Sequence, residues 1–410
     1  MENFESTPVS NVIPIKITAP NSLRSRSRKQ KPRFDGPISE PMWKRIEKLN
    51  SAYSDSFNYA IYDRLYHRFK SKLPRGGVVF QTPFKLVNNH SSCSKCHYAF
   101  EVDTYGRGCV HDCVFCYAKD QLEHYGYWNR PIPFPVDIVS IRETFATVFE
   151  TDRPSKWRSL LEQRIPLRIG SMSDSFMWMD TKYHVTYELL KILRFYKYPY
   201  VIFTRSDLVG RDDYVDVLDP KLASVQFSIA GENEDLTRLM EPGAPSVARR
   251  LRAVKNLTDA GIWTAVRLNP LFPMFPDGYF TRPDTVRKKF GSLEAAPNFP
   301  LFTFNFIDQL KAAGTQSVIA GFVRLSRISL KRVSRVTGID LTPFFAEENT
   351  RGLAANQFSD SEIAFYYKKI QWLCAQRNIR FSTCYIGNGL KDYYQYQELW
   401  ADKRDCCDIR

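Results

Sequence analysis

Along the chain, short apolar runs rich in β-branched and aromatic residues alternate with longer segments whose apolar positions recur every three to four residues. The short runs predict strands at Tyr98–Thr104, Leu167–Ser171, Tyr200–Thr204, Ser224–Ile229, Thr264–Leu268, Ser317–Val323 and Arg380–Cys384. The longer periodic segments predict helices, among them Thr181–Tyr196, Ser246–Ala260 and Ser361–Arg377. Strands alternating with helices build βα units around a parallel sheet. The expected fold class is therefore α/β, a partial TIM-like (β/α) barrel over residues 98–330. In such barrels the chemistry sits where strands end and loops begin.

The flanks read differently. Residues 1–40 contain Ser22-Leu23-Arg24-Ser25-Arg26-Ser27-Arg28-Lys29 and little to bury, the pattern of a disordered basic arm. Residues 41–97 form an expected helical N-terminal extension, with Trp43, Ile46, Leu49, Tyr53, Phe57, Ile61, Leu65 and Phe69 at helical spacing. Residues 331–410 are expected to be a C-terminal extension. The segment Asn269–Pro300, rich in Pro, Phe and charge, is expected to be a long loop over the barrel mouth.

Charge and cysteine content change the picture in two ways. A formal net charge of +14 favours polyanionic partners, nucleic acid first. No apolar run is long enough to cross a bilayer and no secretory pattern opens the chain, so a cytoplasmic location without a membrane partner is expected, the host cytoplasm if the gene is carried by a phage. The nine cysteines gather mainly in two groups, which in a reducing compartment points to metal rather than disulfides.

The first group lies in Tyr105-Gly106-Arg107-Gly108-Cys109-Val110-His111-Asp112-Cys113-Val114-Phe115-Cys116-Tyr117. Thiolates are the ligands of iron–sulfur clusters, and a cubane takes four. Three from one loop leave one iron of a [4Fe–4S] cluster open, a position suited to the amino and carboxylate groups of S-adenosylmethionine. The competing reading is a zinc knuckle completed by His111 or a more distant ligand.

With these residues in view, the chain resembles the radical S-adenosylmethionine (radical SAM) superfamily, and within it the spore photoproduct lyase-like branch. The similarity continues through Gly170-Ser171-Met172-Ser173-Asp174, Phe203-Thr204-Arg205-Ser206-Asp207, Ser228, Glu241-Pro242-Gly243-Ala244-Pro245-Ser246 with Arg249, Arg250 and Leu251, and Ala260-Gly261-Ile262. The resemblance implies that Ser173, Asp174, Arg205 and Ser228 bind S-adenosylmethionine, that Tyr117 lies beside it, and that an electron donor such as flavodoxin or ferredoxin serves the cluster. It also exposes a departure. Where spore photoproduct lyases carry a hydrogen-donating cysteine this chain has Ser171, and Phe115 stands where a tyrosine often precedes the third cysteine. A hydroxyl O–H bond is too strong to give a hydrogen atom to a carbon radical. The expected activity is therefore radical rearrangement or modification of a pyrimidine substituent in DNA, as in phage DNA hypermodification. Spore photoproduct repair, radical modification of RNA or a peptide, and a non-catalytic metal-stabilised nucleic-acid binder are the alternatives.

The second group comprises Cys93, Cys96, Cys384, Cys406 and Cys407, expected to hold an auxiliary iron–sulfur cluster or zinc if they converge. Cys384, at the end of a late strand, is also a candidate hydrogen donor, whereas Cys374 falls within a helix and reads as core.

Overall fold

The computed structural model describes residues 84–86, 100–106, 108–126, 128, 134–272, 283–295, 299–345, 355–356, 358–385 and 397–400. The basic arm, the helical stretch 41–72, and Cys93, Cys96, Cys406 and Cys407 lie outside the described residues.

All seven expected strands form: β1 (Phe100–Val102), β2 (Leu167–Ile169), β3 (Tyr200–Thr204), β4 (Ala223–Ser228), β5 (Trp263–Leu271), β6 (Ser317–Phe322) and β7 (Arg380–Tyr385). They pair in parallel in sequence order, and the short strand Lys85–Leu86 adds antiparallel to the outer edge of β1. The mixed α/β fold with its seven-strand parallel sheet agrees with a partial TIM-like barrel. β7, in the segment expected as a C-terminal extension, lies against β6 with Arg380 opposite Ser317.

Four of the helices matter for the site: α1 (Tyr117–His124), α2 (Glu234–Met240), α3 (Val247–Asp259) and α4 (Arg327–Thr337). The expected helix Thr181–Tyr196 is instead two, Asp180–Tyr183 and Val185–Phe195, parted at His184 with φ 53°. The cause is the buried Asp180. Its carboxylate accepts the N–H groups of Thr186 (2.8 Å) and Tyr187 (3.1 Å), which start the second helix, and the Tyr214 hydroxyl at 2.5 Å. The mouth segment also departs from a plain loop. β5 runs on to Leu271, Pro283–Phe290 is helical with proline at its first position, and Phe272 and Phe299 are fully buried with ring centres 5.2 Å apart.

Strand register puts Glu101 beside Arg168, and Phe203 beside Gln226. Arg168 pairs with Glu101, while Arg267 donates to the Gln226 side-chain oxygen at 2.8 Å. The Phe203 ring takes both guanidiniums, Arg168 at 5.4 Å and Arg267 at 4.9 Å from its centre. These buried charges need such partners, because burying an ion alone is costly. Among the described residues, no helix is long and apolar enough to cross a membrane.

Candidate active site

The residues singled out by the cysteine spacing and the motifs converge at the C-terminal ends of β1 to β4. The cysteine loop leaves β1 through Tyr105–Gly106, which pairs with Phe134–Pro135. It turns at Asp112, whose φ of 47° is left-handed and whose carboxylate takes the Lys119 ammonium at 2.7 Å. Cys116 then caps α1, its sulfur accepting the Lys119 N–H at 3.4 Å. The partial positive charge of a helix start favours the thiolate form there.

Two elements distant in sequence hold the middle of this loop. The Val114 N–H donates to the Met240 carbonyl of α2 at 2.9 Å, and the Val114 carbonyl accepts from Arg332 Nε of α4, also at 2.9 Å. Arg332 in turn pairs with the buried Asp120 of α1. The Glu241–Gly243 turn closes the other side. Gly243 N–H donates to the His111 carbonyl at 3.0 Å, and a Cβ at Gly243 would stand 1.9 Å from the Val110 carbonyl oxygen. Gly243→Ala is therefore expected to push the loop outward and to cost about 1–3 kcal/mol of stability. Chemical denaturation measures that cost, and the iron content of the purified variant, expected to fall in parallel, checks the cause.

His111 and Asp174 tie the loop to the barrel. His111 Nδ1 faces the Gly243 carbonyl and Nε2 faces Asp174, each at 3.1 Å, so both ring nitrogens are engaged with protein. Asp174 also accepts the Thr204 hydroxyl (2.8 Å) and the N–H groups of Phe176 (2.9 Å) and Arg205 (2.6 Å). Burial opposes its charge, but these donors, His111 first, outweigh it and hold the carboxyl below the usual range.

Arg205 pairs with Glu241, which also takes Arg250 at 2.7 Å, and its guanidinium lies 5.1 Å from the centre of the Phe115 ring. Phe115 itself packs on Phe272, so the mouth segment reaches the cysteine loop through a pair of rings. Burial pushes the Cys109 thiol up to about 12, with the Asp174 charge adding to it. It raises Cys113 and Cys116 as well, and the Arg205 charge opposes the rise at both. Thiols in such a setting stay protonated until a cation takes them, and bound metal supplies that charge.

This donor set fits a cubane better than a single ion. A cubane takes each thiolate on a different iron, and His111 is committed elsewhere.

The remaining residues fall as follows. The Ser173 hydroxyl donates to the Tyr105 carbonyl. Ser228 is half-buried at the end of β4, its carbonyl accepting from Arg250 at 3.0 Å. Tyr117 is exposed and its hydroxyl donates to the Ser171 carbonyl at 3.2 Å. The Ser171 hydroxyl accepts from Arg168 at 2.8 Å, and the Ser171 N–H donates to Asp103 at 2.7 Å. In β7 the register steps from Thr383 opposite Ala320 to Tyr385 opposite Gly321, which makes Cys384 the extra residue of a bulge. Cys374 is buried, as expected of core. The motif order marked Glu241 and Gly243 without assigning them work, and nothing local marks Arg332, 218 residues beyond Val114.

An open parallel barrel with a three-thiol loop after its first strand, and a guanidinium beside the thiols, is the architecture of a radical SAM domain. Residues 104–281 match the family model of the Radical SAM superfamily, and this segment is such a domain. Its bounds enclose the motifs from Tyr105 to Ile262. Membership implies a [4Fe–4S] cluster and S-adenosylmethionine as cofactors, which the three thiols fit. The chain is similar to an uncharacterized protein of Mycobacterium tuberculosis, 26% identical over 195 residues, or 47% of this chain and 55% of the relative. It is also similar to one of Methanocaldococcus jannaschii, 25% identical over 170 residues, or 40% and 58%. The chain thus spans little more than half the length of the curated relatives it matches. Among solved structures it is similar to a spore photoproduct lyase variant with bound AdoMet and dinucleoside spore photoproduct, at 16% identity, TM-score 0.47 and coverage of 82% and 97%. It is also similar to Streptococcus suis SuiB bound to S-adenosylmethionine, at 13% identity, TM-score 0.41 and coverage of 74% and 53%.

Proposed function

We propose that the protein is a radical SAM enzyme that takes hydrogen from a thymine or modified pyrimidine in DNA and completes a rearrangement or modification of the base substituent. The observation that carries the choice of reaction is Ser171. Its hydroxyl accepts from Arg168 at 2.8 Å, and by the motif resemblance it stands at the sequence position of the hydrogen-donating thiol of the spore photoproduct lyase-like branch. Cys109, Cys113 and Cys116 would hold the cluster, which with S-adenosylmethionine supplies a 5′-deoxyadenosyl radical able to take hydrogen from unactivated carbon.

The chain's own residues orient and shield. Asp174 and His111 keep the loop fixed against β2 and β3. Arg205, held by Glu241, keeps a positive charge beside Cys113 and Cys116, where it would also meet a carboxylate of the cofactor. Ser173 lies just beyond β2 and Ser228 at the end of β4, with β3 between them, and their hydroxyls would meet ribose or carboxylate of the cofactor. Phe115, Phe272 and Phe299 exclude water from the thiol side. A base within a duplex would have to leave the stack to reach this mouth.

Anaerobic reconstitution followed by incubation with reductant and S-adenosylmethionine is expected to release 5′-deoxyadenosine. Mass spectrometry of nucleosides from native DNA, with and without the gene, is expected to show one pyrimidine species that depends on it. Unchanged nucleosides would remove DNA as substrate. With the substrate in hand, turnover in deuterated buffer is expected to place no solvent deuterium at the reacting carbon. One deuterium per turnover would rule out internal return and turn attention to a thiol donor, with Cys384→Ala as the test.

A further inference from the structure

The helix that clamps the cysteine loop carries an unneutralised row of cations on its outer side. α4 buries Ser329, Leu330 and Val333 and packs against α1 and α2. Arg327, Lys331 and Arg335 are exposed. They are spaced four residues apart, so they fall within about 80° of arc and span about 12 Å of the helix axis. Along one strand of duplex DNA, at about 3.4 Å of axial rise per phosphate, that length presents roughly three or four phosphates.

Several exposed cations elsewhere have carboxylate partners, among them Lys191 with Glu188, Lys255 with Asp259 and Arg287 with Asp284, while others, such as Arg238, Arg252 and Lys311, form no ion pair among the described residues. None of the three on α4 forms an ion pair among the described residues, and the helix itself contains no Asp or Glu. Like charges four residues apart destabilise a helix slightly, a cost that a bound polyanion would relieve. A membrane surface fits poorly, because an interfacial helix needs a broad apolar face and that of α4 is buried in protein, with only Ile328 among its large apolar side chains exposed.

We infer that the outer face of α4 is a docking ridge for a nucleic-acid backbone, with Arg327, Lys331 and Arg335 each meeting a phosphate. This rests on the proposed nucleic-acid substrate and names the surface that would hold it. Position adds a consequence. Arg332, on the same helix, bonds the Val114 carbonyl between Cys113 and Cys116, so a strand gripped by α4 would contact the helix that holds the cysteine loop.

The test is fluorescence anisotropy with a labelled thymine-containing oligonucleotide, single-stranded and duplex, titrated across salt concentrations. Arg327→Gln/Lys331→Gln/Arg335→Gln is compared with wild type and with Lys191→Gln/Lys255→Gln/Arg287→Gln, which removes the same charge from paired positions. The α4 variant is expected to bind about tenfold more weakly or worse, and its slope of log K against log salt to flatten by about 2 to 3. The control should stay within about twofold of wild type, and unchanged iron content in the α4 variant shows the Arg332 clamp intact. Wild-type binding that the α4 variant reproduces in affinity and slope overturns the ridge and leaves the nucleic-acid reading standing. Equal losses in both variants reduce the effect to net charge and overturn it too. A wild type that binds neither oligonucleotide, or binds polyglutamate equally well, overturns the substrate class itself.

Discussion

Replacing Cys113 with alanine is expected to yield a folded protein without iron. The side chain is small and buried, so its removal costs little packing, but the loop then offers two thiolates where a cubane open at one iron needs three. After anaerobic reconstitution the iron and sulfide content should fall to background. Cleavage of S-adenosylmethionine should fall by more than the roughly 10- to 100-fold that loss of an outer-shell partner costs a metal site. Cys109→Ala and Cys116→Ala should behave alike, since each removes one of the same three ligands. A wild-type protein that stays colourless and holds zinc one-to-one after reconstitution would sink the cluster assignment, and with it the expected equivalence of the three variants.

Asp174→Ala is expected to be the most destabilising change outside the cysteines. It leaves the Thr204 hydroxyl, the Phe176 and Arg205 N–H groups and His111 Nε2 without their shared acceptor in a buried site. Breaking a buried ion pair of this kind costs about 3–5 kcal/mol. Urea titration of the metal-free protein should show the loss, and iron loading should fall because His111 no longer anchors the loop. Asp174→Asn, which keeps one acceptor oxygen, should lose less. The resemblance assigns Asp174 to cofactor binding. If that were its whole contribution, Asp174→Ala would weaken S-adenosylmethionine binding while leaving the metal-free stability unchanged, so the two roles separate in one measurement.

Much of the fold was legible before any coordinates. All seven strands lie where apolar runs predicted them, because strands buried on both faces read as near-continuous apolar stretches. Expectation and structure part where a single tertiary contact overrides the local pattern. The helix through residue 184 is periodic throughout, yet Asp180 breaks it by capping the second half from inside the core. The mouth segment lacks periodicity, yet Phe272 and Phe299 bury themselves against Phe115 and its neighbours. Within the segment expected as a C-terminal extension, the predicted strand at Arg380–Cys384 forms as β7, and its pairing with β6 some fifty residues away is long-range register that a local pattern does not carry.

The sequence by itself determined the chemistry that can begin here. Three cysteines within eight residues make one thiol-rich loop wherever that loop is placed, since spacing within one short segment is a local property, and they suit the cluster that the radical SAM match implies. It also determined that residue 171 offers a hydroxyl and not a thiol. Only the tertiary structure decided what holds the loop. The Val114 peptide is fixed by Met240 and Arg332, His111 by Asp174 and Gly243, and Arg205 by Glu241. These partners come from three separate places in the chain, around Asp174, Met240–Gly243 and Arg332. Which carbonyl meets which guanidinium follows from how seven strands and their helices stack, and a local pattern of apolar and polar residues carries no information about that distance.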